Sequence, residues 1–298
     1  MSETLGFFVL LMSNGVLIGL MYSLIALGFV LVYKATDAIN FAQGEFVMIA
    51  GFAVAAALGA YGAPLWLAVA AAVAGMIAFG FGLERVMLRR LIGRPIIAVV
   101  MATIGLAAIL RGVGPLAWGA DTKALPLPIR DEPFVVGPLF ISPIQILGAT
   151  VSIVFLAAFG WFFLKSRKGI AMRAVADSQQ VAMSMGINVQ RYFALAWAMT
   201  GVVSALGGII WGALLGVDVH LSLVGFKVFP VVILGGLDSI PGAILGGLIV
   251  GVVENIAAGY VDPYVGGGTK DFAPYVLMIL ALMIRPYGMF GKKIIERV

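Results

Sequence analysis

Residues 7–32, FFVLLMSNGVLIGLMYSLIALGFVLV, lie in a stretch with no Asp, Glu, Lys or Arg between Glu3 and Lys34. An α-helix over these residues is about 39 Å long at 1.5 Å of rise per residue, more than the roughly 30 Å of hydrocarbon in a bilayer. One membrane span is predicted here. The N-terminus has no basic segment and no small-residue cleavage site ahead of this run, so the span is expected to be retained. Moving outward, the chain is again uncharged between Glu45 and Glu84, which leaves room for two spans divided by the turn-like Gly59, Ala60, Tyr61, Gly62, Ala63 and Pro64. Further apolar runs cover about 95–110, 144–164, 192–215, 225–236, 243–260 and 272–284. The expected fold is all-α, a polytopic transmembrane helical bundle of eight or nine spans, several of them short or broken, in one domain over 1–298.

Composition agrees. The chain is 62% hydrophobic and 11% charged, where soluble domains carry about 25% charged residues. The net charge of +5 and pI of about 9.5 come from short basic clusters between apolar runs, which points to membrane topology and not to nucleic acid. There is no cysteine, so disulfides, thiolate catalysis and cysteine metal sites are excluded. Arg85, Arg89, Arg90 and Arg94 form one cluster; Lys165, Arg167, Lys168, Arg173 and Arg191 a second; Arg285, Lys292, Lys293 and Arg297 a third. Alternating spans put all three on one side, and positive residues are retained in the cytoplasm. The loops 112–143 and 261–271 then face out, and the C-terminus is cytoplasmic.

The segment KSRKGIAMRAVADSQQVAMSMGINVQR, 165–191, is the long polar interruption of the second half. Asp177 reads as an N-cap with Gln180 as its capping-box partner, and Gly186 as a C-terminal stop. The helix between them is far too short to span. Val181, Ala182 and Met185 give it an apolar face that needs a partner.

Two segments, NFAQGEFVMIAG (40–51) and GGLDSIPGAILGGL (235–248), set a polar, glycine-rich turn against an apolar helix. Such breaks mark substrate paths at membrane depth; equally, the spacing of Gly242, Gly246, Gly247 and Gly251 suits close helix packing. Glu45 and Glu254 are acidic residues near or inside apolar runs. Each reads either as a functional charge, or as a helix N-terminal carboxylate (Glu45) and an interface residue (Glu254). Lys227 is placed to pair with one of them or to snorkel. His220, the single histidine, suits hydrogen bonding at an interface. The string Gly266–Lys270, GGGTK, lacks the order of a phosphate loop. No catalytic triad, two-metal carboxylate set or histidine pair is present, so the chain is not expected to be an enzyme. A pump without its own nucleotide site draws on an ion gradient or on a separate motor, and the short capped helix favours the motor.

The order of motifs resembles the membrane permease subunits of bacterial ABC importers for branched-chain amino acids. It runs through NGVLIGLMYSLIALGFVLVYK (14–34), INFAQGEFVMIAG (39–51) and ERVMLRRLIGRP (84–95), and is strongest at 169–209 and 225–254. The resemblance implies an inner-membrane subunit that pairs with a second, related permease, is driven by two cytoplasmic ATPases that bind the ATP, and receives substrate from a periplasmic solute-binding protein. No cofactor belongs to this chain. The ATPase-contacting loop falls on Ala174 to Ile187, including Ala174, Asp177, Gln180, Val181, Ala182, Met185, Gly186 and Ile187. The translocation motifs fall on Asn40, Phe41, Gln43, Gly44 and Glu45, and on Gly235, Gly236, Asp238, Ser239, Pro241 and Gly242. Gln43 stands where histidine is common in the family and Asp238 where glycine is common. Related permeases carry urea, short amides or aromatic acids, and these are the alternative substrates; an ion-coupled secondary carrier is the alternative mechanism.

Overall fold

A computed structural model describes residues 3–91, 94–129, 132–137 and 139–291. In chain order the helices are α1 (Glu3–Thr36), α2 (Gln43–Gly59), α3 (Leu65–Val86), α4 (Ile96–Trp118), α5 (Pro143–Lys165), α6 (Arg167–Asp177), α7 (Gln179–Ser184), α8 (Val189–Leu215), α9 (Leu223–Gly235), α10 (Ile240–Tyr260), α11 (Asp262–Val265) and α12 (Thr269–Ile284). Single 3₁₀ turns occupy Leu88–Leu91 and Val219–Ser222. Pro64 and Pro95 take extended backbone just ahead of α3 and α4, as expected where proline stops one segment and starts a helix. Six helices among the described residues are long and apolar enough to cross a membrane. The expected eight or nine included α2, α9 and α12, which at 17, 13 and 16 residues fall short of the roughly 20 a full crossing needs.

One boundary needs correction, and part of another expectation lies outside the described residues. The outer loop does not begin at residue 112, because α4 continues to Trp118; Arg111 does not end the helix, for a reason given below. Within this region β1 (Phe134–Val136) and β2 (Leu139–Ile141) form an antiparallel pair with Phe134 opposite Ile141. The third basic cluster is only partly in view. Arg285 follows α12 directly, and Lys292, Lys293 and Arg297 lie outside the described residues.

By contacts the chain divides into two compact units. One comprises the described parts of 1–30, 128–152 and 226–298. Its α1 and α10 approach through paired glycines, Gly15 and Gly19 on α1 facing Gly247 and Gly251 on α10. A Cβ at Gly19 would lie 2.6 Å from the Gly247 carbonyl oxygen, and one at Gly15 2.7 Å from the Val252 Cα. The Ser23 hydroxyl adds hydrogen bonds to the Gly19 and Ile244 carbonyls at 2.8 and 3.1 Å. Gly242 and Gly246 serve the other face of α10, meeting Gly235 and Val231 of α9. The packing reading of these glycines therefore holds for all four.

The other unit comprises the described parts of 31–127 and 153–225. α2 is buried almost all round, as an evenly apolar helix must be. Phe46 sits against Phe79 and Trp197, with ring centroids 5.1 and 6.1 Å apart. α8 crosses α3 where Gly80 faces the Trp197 backbone and Gly201 faces Met76, and it meets α2 where Gly208 faces Val47.

The polar segment 165–191 holds two helices, not one. Ser166 caps α6, accepting from the Gly169 N–H at 2.9 Å. Asp177 is the last residue of α6 and does not cap α7. That role belongs to Ser178, whose extended backbone breaks the two helices apart and whose Oγ accepts from the Val181 N–H at 3.3 Å. Gln180 is accordingly not a capping-box partner. The stop is as expected: Gly186 has φ +79°, and the Ile187 N–H to Ala182 carbonyl and Gly186 N–H to Met183 carbonyl bonds, both 3.0 Å, complete a Schellman motif.

Replacing Gly19 or Gly251 with valine is expected to destabilise the protein by about 1–3 kcal/mol or more, because neither backbone has room to retreat. Unfolding titrations in detergent measure this. Alanine should cost less than valine at both positions.

Candidate functional site

The first of the two polar turns forms a closed network. Asn40 Oδ1 accepts from the Ala42 N–H at 3.1 Å, and its Nδ2 donates to Gln43 Oε1 at 3.3 Å. Gln43 Nε2 then donates to the Ser204 hydroxyl of α8 at 3.1 Å. All three side chains are fully buried, where unpaired amides would be costly. Glutamine suits this position because one amide group both accepts and donates. Thr103 of α4 braces the same turn, accepting from the Phe41 N–H at 3.2 Å. Gly44 meets the Ser222 carbonyl and Gly225, an approach with no room for a side chain.

Glu45, one turn on, is buried and paired with Arg111 of α4, both Nε and an Nη lying 2.7 Å from its Oε1. The expectation that backbone amides satisfy Glu45 missed this partner. An arginine after a run of apolar residues reads as the end of a span; here its charge is neutralised by Glu45, so α4 carries on past it. The one available signal was the shortness of the 95–110 run.

In the other unit, Lys227 of α9 lies 3.6 Å from Glu254 of α10 and 2.7 Å from Asp271 of α12. Glu254 is fully buried, with Tyr22 of α1 beside it. The second polar turn, Gly235 to Ser239, closes α9 and opens α10. The Met289 and Phe290 N–H groups donate to the Leu234 and Gly235 carbonyls at 2.8 and 3.1 Å, satisfying acceptors that a helix end leaves open. Ser239 caps α10, accepting from the Gly242 N–H at 3.0 Å. Gly236 is buried, and Asp238 half-buried.

His220 lies in an exposed tie. Thr122 donates to Asp218 at 2.8 Å, the His220 N–H donates to the same carboxylate at 2.8 Å, and Lys123 and Val217 exchange backbone hydrogen bonds. Partial burial pushes the Asp218 carboxyl up, but the bonds from Thr122 and His220 outweigh it and hold it below the usual carboxylate range. Its stabilising effect is therefore present above that range and lost as pH falls through the lowered value. Among the described residues no group of three or more His, Cys, Asp or Glu is placed to hold a metal ion.

The face expected on α7 splits. Ala182 is 2% exposed and turned inward, whereas Val181, Met183 and Met185 are 61, 55 and 77% exposed. Gln180 is exposed and Ala174 half-buried. Met183 was not singled out from sequence; it joins the exposed patch because residues 181, 183 and 185 all lie off the inward face that Ala182 occupies.

Among the described residues, six helices long and apolar enough to cross a membrane are the framework of a multi-pass membrane protein. The branched-chain amino acid transport system permease component family matches residues 11–284, and the chain belongs to that family. It is 36% identical over its full length to the full-length high-affinity branched-chain amino acid transport system permease protein LivH of Escherichia coli. It is 34% identical to the corresponding BraD of Pseudomonas aeruginosa, covering 96% of each chain, and 29% identical to a probable LivH of Methanocaldococcus jannaschii over 90% of this chain and 88% of that one.

Arg111→Met should cost about 3–5 kcal/mol, because it strands a buried carboxylate. The double variant Glu45→Gln, Arg111→Met should recover most of that loss. A double-mutant cycle on thermal or denaturant unfolding reads both.

Proposed function

We propose that this chain is one permease subunit of an ATP-driven importer that moves branched-chain or related hydrophobic amino acids across the inner membrane. Membership of the family supports the transporter class, and the names of its full-length relatives support the substrate class. The observation that carries the mechanism is the α7 patch. Val181 and Met183 stand exposed on a helix of six residues and Met185 at its C-cap, within a segment rich in Lys and Arg. A soluble partner with an apolar groove fits it, and two ATPases on the cytoplasmic side supply that partner. On this reading the three basic clusters and the C-terminus are cytoplasmic.

The partners are then a second, related permease, the ATPase pair and a periplasmic solute-binding protein. Asn40, Phe41, Gln43, Gly44 and Glu45 in one unit, and Gly235, Gly236, Asp238 and Ser239 in the other, are the proposed path elements. The Asn40–Glu45 turn is held stiff by buried hydrogen bonds, so motion delivered at α7 within the same unit shifts it as a body. Ala174, Asp177, Gln180, Val181, Ala182, Met185, Gly186 and Ile187 form the coupling region, in which Ala182 seats the helix and Val181 and Met185 meet the ATPase.

Val181→Asp with Met185→Asp should abolish co-purification of the ATPases and lower leucine uptake in proteoliposomes by more than about tenfold, since two charges would be desolvated in an apolar contact. Retained ATPases would refute the docking role. Gly186→Val, forced into a left-handed backbone with open space around it, should cost about 1–2 kcal/mol locally and uncouple hydrolysis from uptake; wild-type coupling counts against the reading.

A further inference from the structure

The last carbonyls of a helix have no donor within it. Ala35 is the penultimate residue of α1, and its carbonyl accepts from Nε2 of Gln179, the first residue of α7, at 3.3 Å. The chain then leaves α1 through Asp37, with φ +53°, and within three residues reaches Asn40 and the buried network that includes Gln43. Gln179 therefore connects the short helix to the entry of the polar turn.

The same side chain lines a cleft with Thr36, Glu84, Arg94, Phe193 and Trp197. Trp197 is fully buried, and its indole N–H has no hydrogen-bond acceptor. An orphaned buried donor costs about 1–3 kcal/mol. Such a group calls for a reason. A primary amide offers one, since it carries both a donor and an acceptor.

We propose that Gln179 is the positioning residue that ties α7 to the Asn40–Glu45 turn, and that it works by exchanging partners. In the conformation described here its N–H holds the Ala35 carbonyl. When α7 is driven toward the cleft, its carbonyl oxygen takes the Trp197 indole N–H and the end of α1 is released. One hydrogen bond replaces another, so the two arrangements are close in energy and a modest force selects between them. The proposal rests on α7 being the ATPase-facing helix.

The test uses the whole reconstituted transporter, with leucine as the probe. Gln179→Leu should lower leucine moved per ATP hydrolysed by about five- to tenfold, the scale of one hydrogen bond in an equilibrium, while the ATPases still co-purify. Trp197→Phe, which keeps an aromatic ring but loses the donor, should lower the ratio in the same direction. In a protein whose other tryptophans, Trp66, Trp118, Trp161 and Trp211, are phenylalanine, trapping with ATP and vanadate should shift Trp197 emission to longer wavelength. That shift should vanish with Gln179→Leu. Coupling within twofold of wild type in Gln179→Leu, or unchanged Trp197 emission on trapping, would overturn the exchange. Loss of the tie alone leaves the docking reading intact, whereas that reading fails on ATPase retention in the Val181, Met185 variant.

Discussion

Helices surrounded by lipid gain nothing from hiding apolar side chains, because the tails are as apolar as leucine. Adhesion must come from close van der Waals contact, and contact is closest where there is no Cβ. The Gly15, Gly19 edge of α1 against the Gly247, Gly251 edge of α10 meets that requirement. So do Gly80 and Gly201 between α3 and α8, and Gly208 between α8 and α2. These approaches fix which helix faces meet, and the polar side chains can then be placed within hydrogen-bonding range.

Several of those polar groups are paired, whereas the Trp197 indole N–H is not. Asn40, Gln43 and Ser204 satisfy one another; Glu45 has Arg111; and Lys227 lies between Glu254 and Asp271. A lysine shared by a buried and an exposed carboxylate is held less firmly than the Glu45–Arg111 contact, where two nitrogens converge on one oxygen at 2.7 Å. Rigidity is thus uneven between the two units. The turn at Asn40 is locked by side chains, whereas the turn at Gly235 is closed by backbone donors from 289–290.

Much of this was legible in the chain itself. Uncharged runs marked the long helices because a bilayer tolerates few bare charges. Arg111 defeated that logic, since its partner lies 66 residues away and only the fold brings them together. The cap of α7 was misread for a local reason: Asp177, a good cap by type, is consumed as the last residue of α6, and the role falls to Ser178. The inward turn of Ala182 and the outward Val181 could not be read from periodicity in a helix of six residues. The β1–β2 pair was hidden in a loop whose proline and glycine content signalled only turns. Gln43 was visible as an oddity, but its use of both ends of the amide required Ser204, 161 residues on.

The glycine edge of α1 also bears on how the chain is made. Its match on α10 is encoded more than 225 residues later, so at ribosomal speeds of about 5–20 residues per second the first helix waits on the order of 10–50 s for its neighbour. During that interval its Gly15, Gly19 edge lacks the partner it packs against in the finished fold. Until α10 is made, the edge that α1 packs against does not exist, so the glycine contact is among the last of the fold to form.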